Sequence, residues 1–421
     1  MKRLFSLLAM LLIGFTPTFA QTAVAPTVGD GTKTNPYQIA SLENLYWLAD
    51  KVNNSKETFS GKYFKQTKNI SALETSDWFD GNGWQPIGYF KNSDDSVSFS
   101  GTYDGADKKI DGLYINRPKK FYVGLFGYTK NASIANVAVT NVSITGGGIL
   151  GGLVGSNSES PITNSYVTGV IYSDGIMGMI GGLVGSNSNS TIMDSYMIGV
   201  INGNGATNIG GFIGMNSNST IRNSRAAGAI SGDSFVGGFI GMNSNSTITN
   251  CCTNGVTHGN GLFVGGLVGM NSSSTITNSC ARVSVNGNGS TGGFTGSNSD
   301  GSTIANCYVI GSVNSDNGFY FGGLAGLNTD LSSIKNCYAV AKVTATFSFG
   351  GLVGENNNST VSASFWDKTV QGTGNKIGEG KTSIEMKQKS TYTGWDFVRG
   401  KDGFWDIDET KLKNNGYPYL E

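Results

Sequence analysis

The chain has 421 residues, of which 63 are glycine, 38% are hydrophobic and 14% are charged. Lys plus Arg and Asp plus Glu balance at 29 each, so there is no basic field to hold nucleic acid or anionic lipid and no acidic tract to repel them. With 22 Phe, 17 Tyr and 6 Trp, the glycine excess fits neither a disordered chain nor collagen, and must serve backbone geometry.

Lys2 and Arg3 precede an apolar run from Leu4 to Phe15, followed by Pro17 and Thr18-Phe19-Ala20 before Gln21. This pattern predicts a secretory signal over 1–20, cleaved to leave a mature chain 21–421 that is exported to the extracellular space or outer cell surface. The run is shorter than the roughly 20 residues a membrane span needs, so no transmembrane span is expected. Gln21 rather than Cys follows the cut, which leaves a lipid anchor without its acceptor. Residues 21–122 read as an N-terminal cap and first irregular coils. Within them Ser41 is placed to cap a helix whose Leu42, Leu45, Leu48 and Val52 share one face, flanked by Trp47.

From 123 to 366 a motif Gly-Gly-[Leu/Phe]-x-Gly-x-Asn recurs. Its second glycine falls at 152, 182, 211, 238, 266, 293, 323 and 351, with a weaker copy at 124, at intervals of 27 to 30 residues. Such a period fits one coil of a solenoid that buries its apolar face by stacking on its neighbours. Short runs rich in Val, Ile, Thr and Tyr, punctuated by Gly, Asn and Ser, predict strands rather than helix. The expected fold is therefore all-β, a right-handed parallel β-helix of about 28 residues per coil with two or three short strands in each. Nine coils would rise about 40 Å.

Equivalent positions form columns. Leu153, Leu183, Phe212, Phe239, Leu267, Phe294, Leu324 and Leu352 are all large and apolar, as are Ile162 and its equivalents, so both columns face the core. Gly155 and its equivalents imply positive φ or a close approach at a corner. Asn157 and its equivalents suit stacking of amide on amide. A column of small residues, Ser165, Ser195, Ser224, Cys251, Ser279, Cys307, Cys337 and Ser364, makes its three cysteines core filler. The next column, Tyr166, Tyr196, Arg225, Cys252, Cys280, Tyr308, Tyr338 and Phe365, holds an arginine and so points outward or lies at a corner. Cys252 and Cys280 lie one rung apart, within the Cα range of a disulfide. Adjacent parallel side chains point the wrong way for the required dihedral, which favours free thiols.

Gly-Gly-Leu-Val-Gly-Ser-Asn at 151–157 and 181–187, running on into Ile-x-Asn-Ser-Tyr, resembles the GLUG motif of bacterial surface proteins. Gly29-Asp30-Gly31-Thr32, Asn35-Pro36-Tyr37-Gln38-Ile39, Phe99 to Gly105 and the closing Gly416-Tyr417-Pro418-Tyr419-Leu420 are similar to secreted proteins of Bacteroidetes type. The resemblance implies an adhesin-like secreted β-helix. In some immunoglobulin A peptidases the motif lies beside a protease domain.

Residues 367–421 read as a C-terminal cap, with a helical turn over Thr382–Lys387 and a plug of Trp395, Phe397, Phe404, Trp405, Tyr417 and Tyr419 over the sticky end of the stack. An aromatic sugar platform is the alternative reading of that cluster.

The sole histidine, His258, excludes a His-Glu-x-x-His zinc site, so the peptidase chemistry does not carry over. Only eight acids and six bases lie between 124 and 361. Asp300 and Asp330 alone stack on adjacent rungs, as weak calcium candidates or as solvated turn carboxylates. Asp406, Asp408 and Glu409 are the densest acidic group, and a solvated cap accounts for them. No catalytic residue, metal or cofactor is expected. The sequence is read as a monomeric, non-enzymatic adhesion or ligand-binding solenoid for a host or matrix glycan or a surface protein. Its expected ligand column is Tyr166, Tyr196, Tyr308 and Tyr338, whose rings offer apolar faces with a polar tip; the alternative is that they pack over neighbouring turns. A polysaccharide lyase or hydrolase is the runner-up.

Overall fold

The computed structural model describes residues 21–420, less 176–177, 316, 346–348, 372–373, 398–404 and 409. The signal expected over 1–20, Phe404 and Glu409 lie outside the described residues.

The chain winds as a parallel β-solenoid of about 12 turns. Each repeat coil holds four strands, as in Ile149–Gly151, Val154–Ser158, Ile162–Thr163 and Tyr166–Ser173, rather than the two or three expected. The unexpected strand is the short one entering the Gly-Gly corner, where two glycines mask the β signal. In the repeat coils each described strand pairs in parallel with its equivalent one coil on, within sheets of 9, 9, 12 and 13 strands. The longest strands, Tyr166–Ser173 and its equivalents, form the thirteen-stranded sheet, called here the long sheet.

Two corners explain the conserved spacing within the repeat. A Cβ on Gly151 would collide with the Val154 carbonyl, and one on Gly155 would lie 2.7 Å from the Gly127 carbonyl oxygen. Neither glycine has positive φ, so close approach of the backbone is what excludes larger residues here. Positive φ falls instead where the chain turns into the long sheet, at Asn164, Asp194, Asn223, Asn250, Asn278, Asn306 and Asn336, with φ between 46° and 57°. Asparagine and aspartate tolerate that left-handed conformation better than other side chains.

One continuous apolar core runs from Ile39 to Trp366, with the Leu153 column and the seven isoleucines from Ile162 to Ile334 fully buried and Val361 of the last coil half-buried. Beside it the asparagine column forms an amide chain. Each Nδ2 donates to the Oδ1 one coil on, from Asn157 through Asn187, Asn216, Asn243, Asn271, Asn298 and Asn328 to Asn356, at 2.7–2.9 Å. The buried amides are thereby satisfied without water. Two serine ladders run parallel to it. In one, backbone N–H groups donate to Ser165, Ser195 and Ser224 Oγ on the next coil; in the other, to Ser190, Ser219 and Ser246 Oγ. Cys251, Cys307 and Cys337 are buried, unpaired thiols in the first ladder, each donating to the carbonyl two residues back.

Helix α1 (Leu42–Asn53) covers the first turns, with the Ser41 hydroxyl accepting from the Asn44 N–H and Leu42, Leu45, Leu48 and Val52 buried beneath it. At the other end the aromatic segment does not sit over the last rung as expected. Trp366 of the long-sheet strand Phe365–Asp367 lies against Gly351, while Tyr392, Trp395, Trp405 and Tyr417 lie along the outer face of the long sheet on Tyr308, Tyr338 and Phe365. The outward column is itself aromatic there, so the cap rings find ring partners along the face of the sheet.

Candidate functional site

The outward column of the long sheet is in register along its whole length, Tyr166 beside Tyr196, then Arg225, Cys252, Cys280, Tyr308, Tyr338 and Phe365. Its chemistry divides it into three stretches. In the first, the Tyr166 and Tyr196 rings stack with centroids 4.5 Å apart and planes 7° apart. Rings stacked in this way present edges and hydroxyls outward and spend their faces on each other. The stack ends at Tyr196, because the next rung brings Arg225.

In the second stretch the bulk drops. Tyr196 forms one wall of a groove of about 570 Å³ bounded by Asp194, Ile198, Asn223, Arg225 and Ala227. Ala227 stands where the preceding rung has Ile198, and this step leaves space beside the ring. The groove adjoins a second of about 620 Å³ that passes Arg225, Asn254, Arg282 and Tyr308 to Leu420 of the cap. The lining of this second groove includes Cys252 and Cys280, which are joined by a disulfide across a Cα separation of 4.6 Å. The expectation of free thiols is thus corrected: both side chains point out from the sheet at one rung spacing, where nothing packs between them.

One wall of these grooves is polar. Asn250 Nδ2 donates to Asn223 Oδ1 at 2.8 Å, and Asn223 Nδ2 donates to Asp194 Oδ1 at 3.0 Å. Arg282 donates to the Tyr308 hydroxyl at 3.1 Å. Arg225 is exposed, and no carboxylate among the described residues lies within 4 Å of it. The combination of one open ring face, two guanidinium groups and a row of amides suits a ligand with flat apolar faces and many hydroxyls. The one carboxylate present, Asp194, is held by an amide rather than set against a second acid or base.

In the third stretch two of the expected ligand residues are removed from solvent. Tyr308 is 4% and Tyr338 0% exposed. The Tyr338 hydroxyl donates to the Pro418 carbonyl at 2.5 Å and accepts from Asn414 Nδ2 at 2.8 Å, and its ring lies among Tyr392, Trp395, Trp405 and Tyr417. These tyrosines pack under the cap, whereas Tyr196 is 37% exposed. The four tyrosines therefore do not form one surface. Sequence reading passed over Arg282 and Asp194, and saw Arg225 only as a sign that the column points outward. The interruption of an aromatic column by one arginine and two cysteines was the available signal.

His258 is exposed in the strand Cys252–Gly259. Asp300 accepts from the Ser272 and Ser299 hydroxyls at 2.6 and 2.9 Å. Among the described residues no group of three or more His, Cys, Asp or Glu side chains is arranged to hold a metal ion, and no helix is long and apolar enough to cross a membrane.

Comparison with known proteins gives the chain a motif. Residues 317–344 match the family model of the GLUG motif. The chain is 32% identical over 152 residues, 36% of its length, to halomucin of Haloquadratum walsbyi, and 36% identical over 99 residues, 24% of its length, to a protein of Evansella cellulosilytica provisionally named a Gly-rich membrane protein. It spans only 2% and 10% of those relatives. Among solved structures, a Bacteroides ovatus protein provisionally named an immunoglobulin A1 protease matches 93% of this chain and 94% of its own, at 18% identity and a TM-score of 0.41. The surface adhesin PfbA of Streptococcus pneumoniae matches 69% of this chain and 80% of its own, at 13% identity and a TM-score of 0.28.

Proposed function

We propose that this GLUG-motif solenoid is a non-enzymatic, surface-associated adhesion module that holds a saccharide chain in the groove beside Tyr196. The observation that carries this reading is the abrupt end of the Tyr166–Tyr196 stack against Arg225 and Ala227, which leaves the Tyr196 ring as one wall of a groove. Pyranose rings pack their C–H faces on aromatic rings, and their hydroxyls suit the amides and guanidinium groups along the rim. A rigid rod is a suitable scaffold, because each wall residue is fixed by the register of the strand that carries it. The name of the Evansella relative, a membrane protein, agrees with a surface address.

The test is a glycan array probed with residues 21–421, run beside a reducing-end release assay on the same polysaccharides. Binding without release is expected, together with loss of binding in Tyr196→Ala and Arg225→Ala at unchanged fold. Release of sugar overturns the non-enzymatic reading, and unchanged binding in both variants removes the groove as the site.

A further inference from the structure

A separate cleft, sharing no lining residue with these grooves, lies on the N-terminal coils. It has a volume of about 800 Å³ and opens between the antiparallel hairpin Tyr89–Phe90/Ser96–Val97 and the turn that follows Arg117. The aromatic residues come from both sides: Phe90 meets Tyr122 edge to face at 5.9 Å, and Phe121 projects beside them, 60% exposed. Arg117 stands within the cleft, half-buried. Its Nε donates to the Trp84 carbonyl and its Nη2 to the Gly83 carbonyl, both at 2.9 Å, and its guanidinium lies 5.2 Å from the Phe79 ring centroid. Two carbonyls and a ring thus fix the plane of the group, while no carboxylate among the described residues lies within 4 Å of it.

The surrounding charge is one-sided. Lys91, Lys119 and Lys120 line the cleft together with Arg117, against the single carboxylate of Asp95. Asp95 is already engaged by Lys56, by Lys91 and by the Tyr89 hydroxyl. In a chain whose acids and bases balance and whose repeat coils hold six bases in all, this local excess of cations beside exposed rings is an exception. A fixed planar guanidinium with unused N–H groups matches a carboxylate in a forked pair of hydrogen bonds, and a half-buried site strengthens that pairing.

We propose that this cleft binds a carboxylate-bearing sugar unit of an acidic glycan, with the carboxylate on Arg117, the ring against Phe121 or Phe90, and Lys119 and Lys120 attracting the flanking negative charge. The inference stands on residues independent of Tyr196. Hexuronates and nonulosonic acids share the required chemistry, so both are tested. Calorimetric titration of residues 21–421 with trigalacturonate and with sialyllactose, against neutral galactotriose, is expected to show at least tenfold tighter binding of one acidic ligand, weakening as salt is raised from 50 to 500 mM.

Arg117→Gln is expected to lower that affinity at least tenfold, and Phe121→Ala several-fold. Tyr196→Ala is expected to leave it unchanged. Because Arg117 also ties Gly83 and Trp84 in place, the exposed Phe121→Ala and the double variant Lys119→Gln/Lys120→Gln decide the matter if Arg117→Gln fails to fold. Equal binding of acidic and neutral sugars overturns the proposal, as does affinity that survives all these variants. Equal capture of phosphatidylglycerol vesicles by wild type and Phe121→Ala, without binding of either acidic sugar, overturns it in favour of a lipid surface.

Discussion

The Tyr417 hydroxyl donates to Oδ2 of Asp367 at 2.7 Å, across 50 positions of sequence. Asp367 is 1% exposed, and it also accepts from the Ser383 hydroxyl and from the N–H groups of Thr369 and Val370. A buried carboxylate of this kind is tolerated only because its oxygens are met by donors. The long-sheet strand Phe365–Asp367 and the cap are therefore joined by one polar knot beneath an aromatic cover.

Removing the Tyr417 hydroxyl leaves one carboxylate oxygen short of a donor. Tyr417→Phe is expected to destabilise the cap by about 1–3 kcal/mol while the repeat coils keep their melting transition. Limited proteolysis and Trp395/Trp405 fluorescence should report early release of the segment after 374. Loss of both transitions together would show that the cap does not unfold by itself.

The amide chain makes a positional prediction. Asn243→Ala removes an acceptor from Asn216 and a donor from Asn271, leaving two buried groups unpaired. A cost of about 2–4 kcal/mol is expected in denaturant unfolding. Asn356→Ala, at the exposed end, should cost less than half as much, since Asn356 is less buried and water can replace it.

The Cys252–Cys280 bridge closes one coil, with a sequence separation of 28. On the chain-entropy account, its removal by paired serine substitution should lower stability by about 3–4 kcal/mol. The three remaining cysteines should resist iodoacetamide at pH 8 in the native state and react fully in denaturant, which mass spectrometry will count. Native labelling of Cys251, Cys307 or Cys337 would contradict their burial.

Stability should fall in alkali. Burial pushes the Cys251 thiol up to about 12 from 9.0 and the Tyr417 hydroxyl up to about 12 from 10.0, and raises Tyr103, Tyr338 and Tyr392 as well. Between pH 9 and 12 the folded state keeps protons that the unfolded state releases. The stabilisation is therefore complete below pH 9 and is lost progressively above it. Melting temperatures measured from pH 8 to 11 should decline, with a set of tyrosines titrating late at 295 nm.

The sequence made legible whatever was repeated. The Leu153, Ile162 and Asn157 columns each offered eight samples of the same environment, so the tolerated side chains revealed core and ladder directly. The second serine ladder, through Ser190 and Ser219, was hidden because serine beside asparagine reads as turn. The docking of the cap occurs once, through contacts separated by up to 80 positions, and periodicity carries no information about it. For the same reason Tyr308 and Tyr338 looked equivalent to Tyr196, although their surroundings differ completely. The disulfide was misjudged because column membership fixes the spacing of two residues but not the freedom of their side chains.

The amide chain has one further consequence. It runs in a single sense, every carboxamide passing its N–H to the carbonyl of the following coil, from the Thr129 hydroxyl that opens it to the Ser359 carbonyl that receives the last bond. Each junction along the way is chemically the same. Excising a whole coil therefore rejoins like to like, whereas excising part of one sets a donor against a donor or a side chain against the wrong face. The rod is in this sense graduated in whole units: adding or removing a coil ahead of those that the cap covers at Tyr308 and Tyr338 would change its reach without disturbing either end.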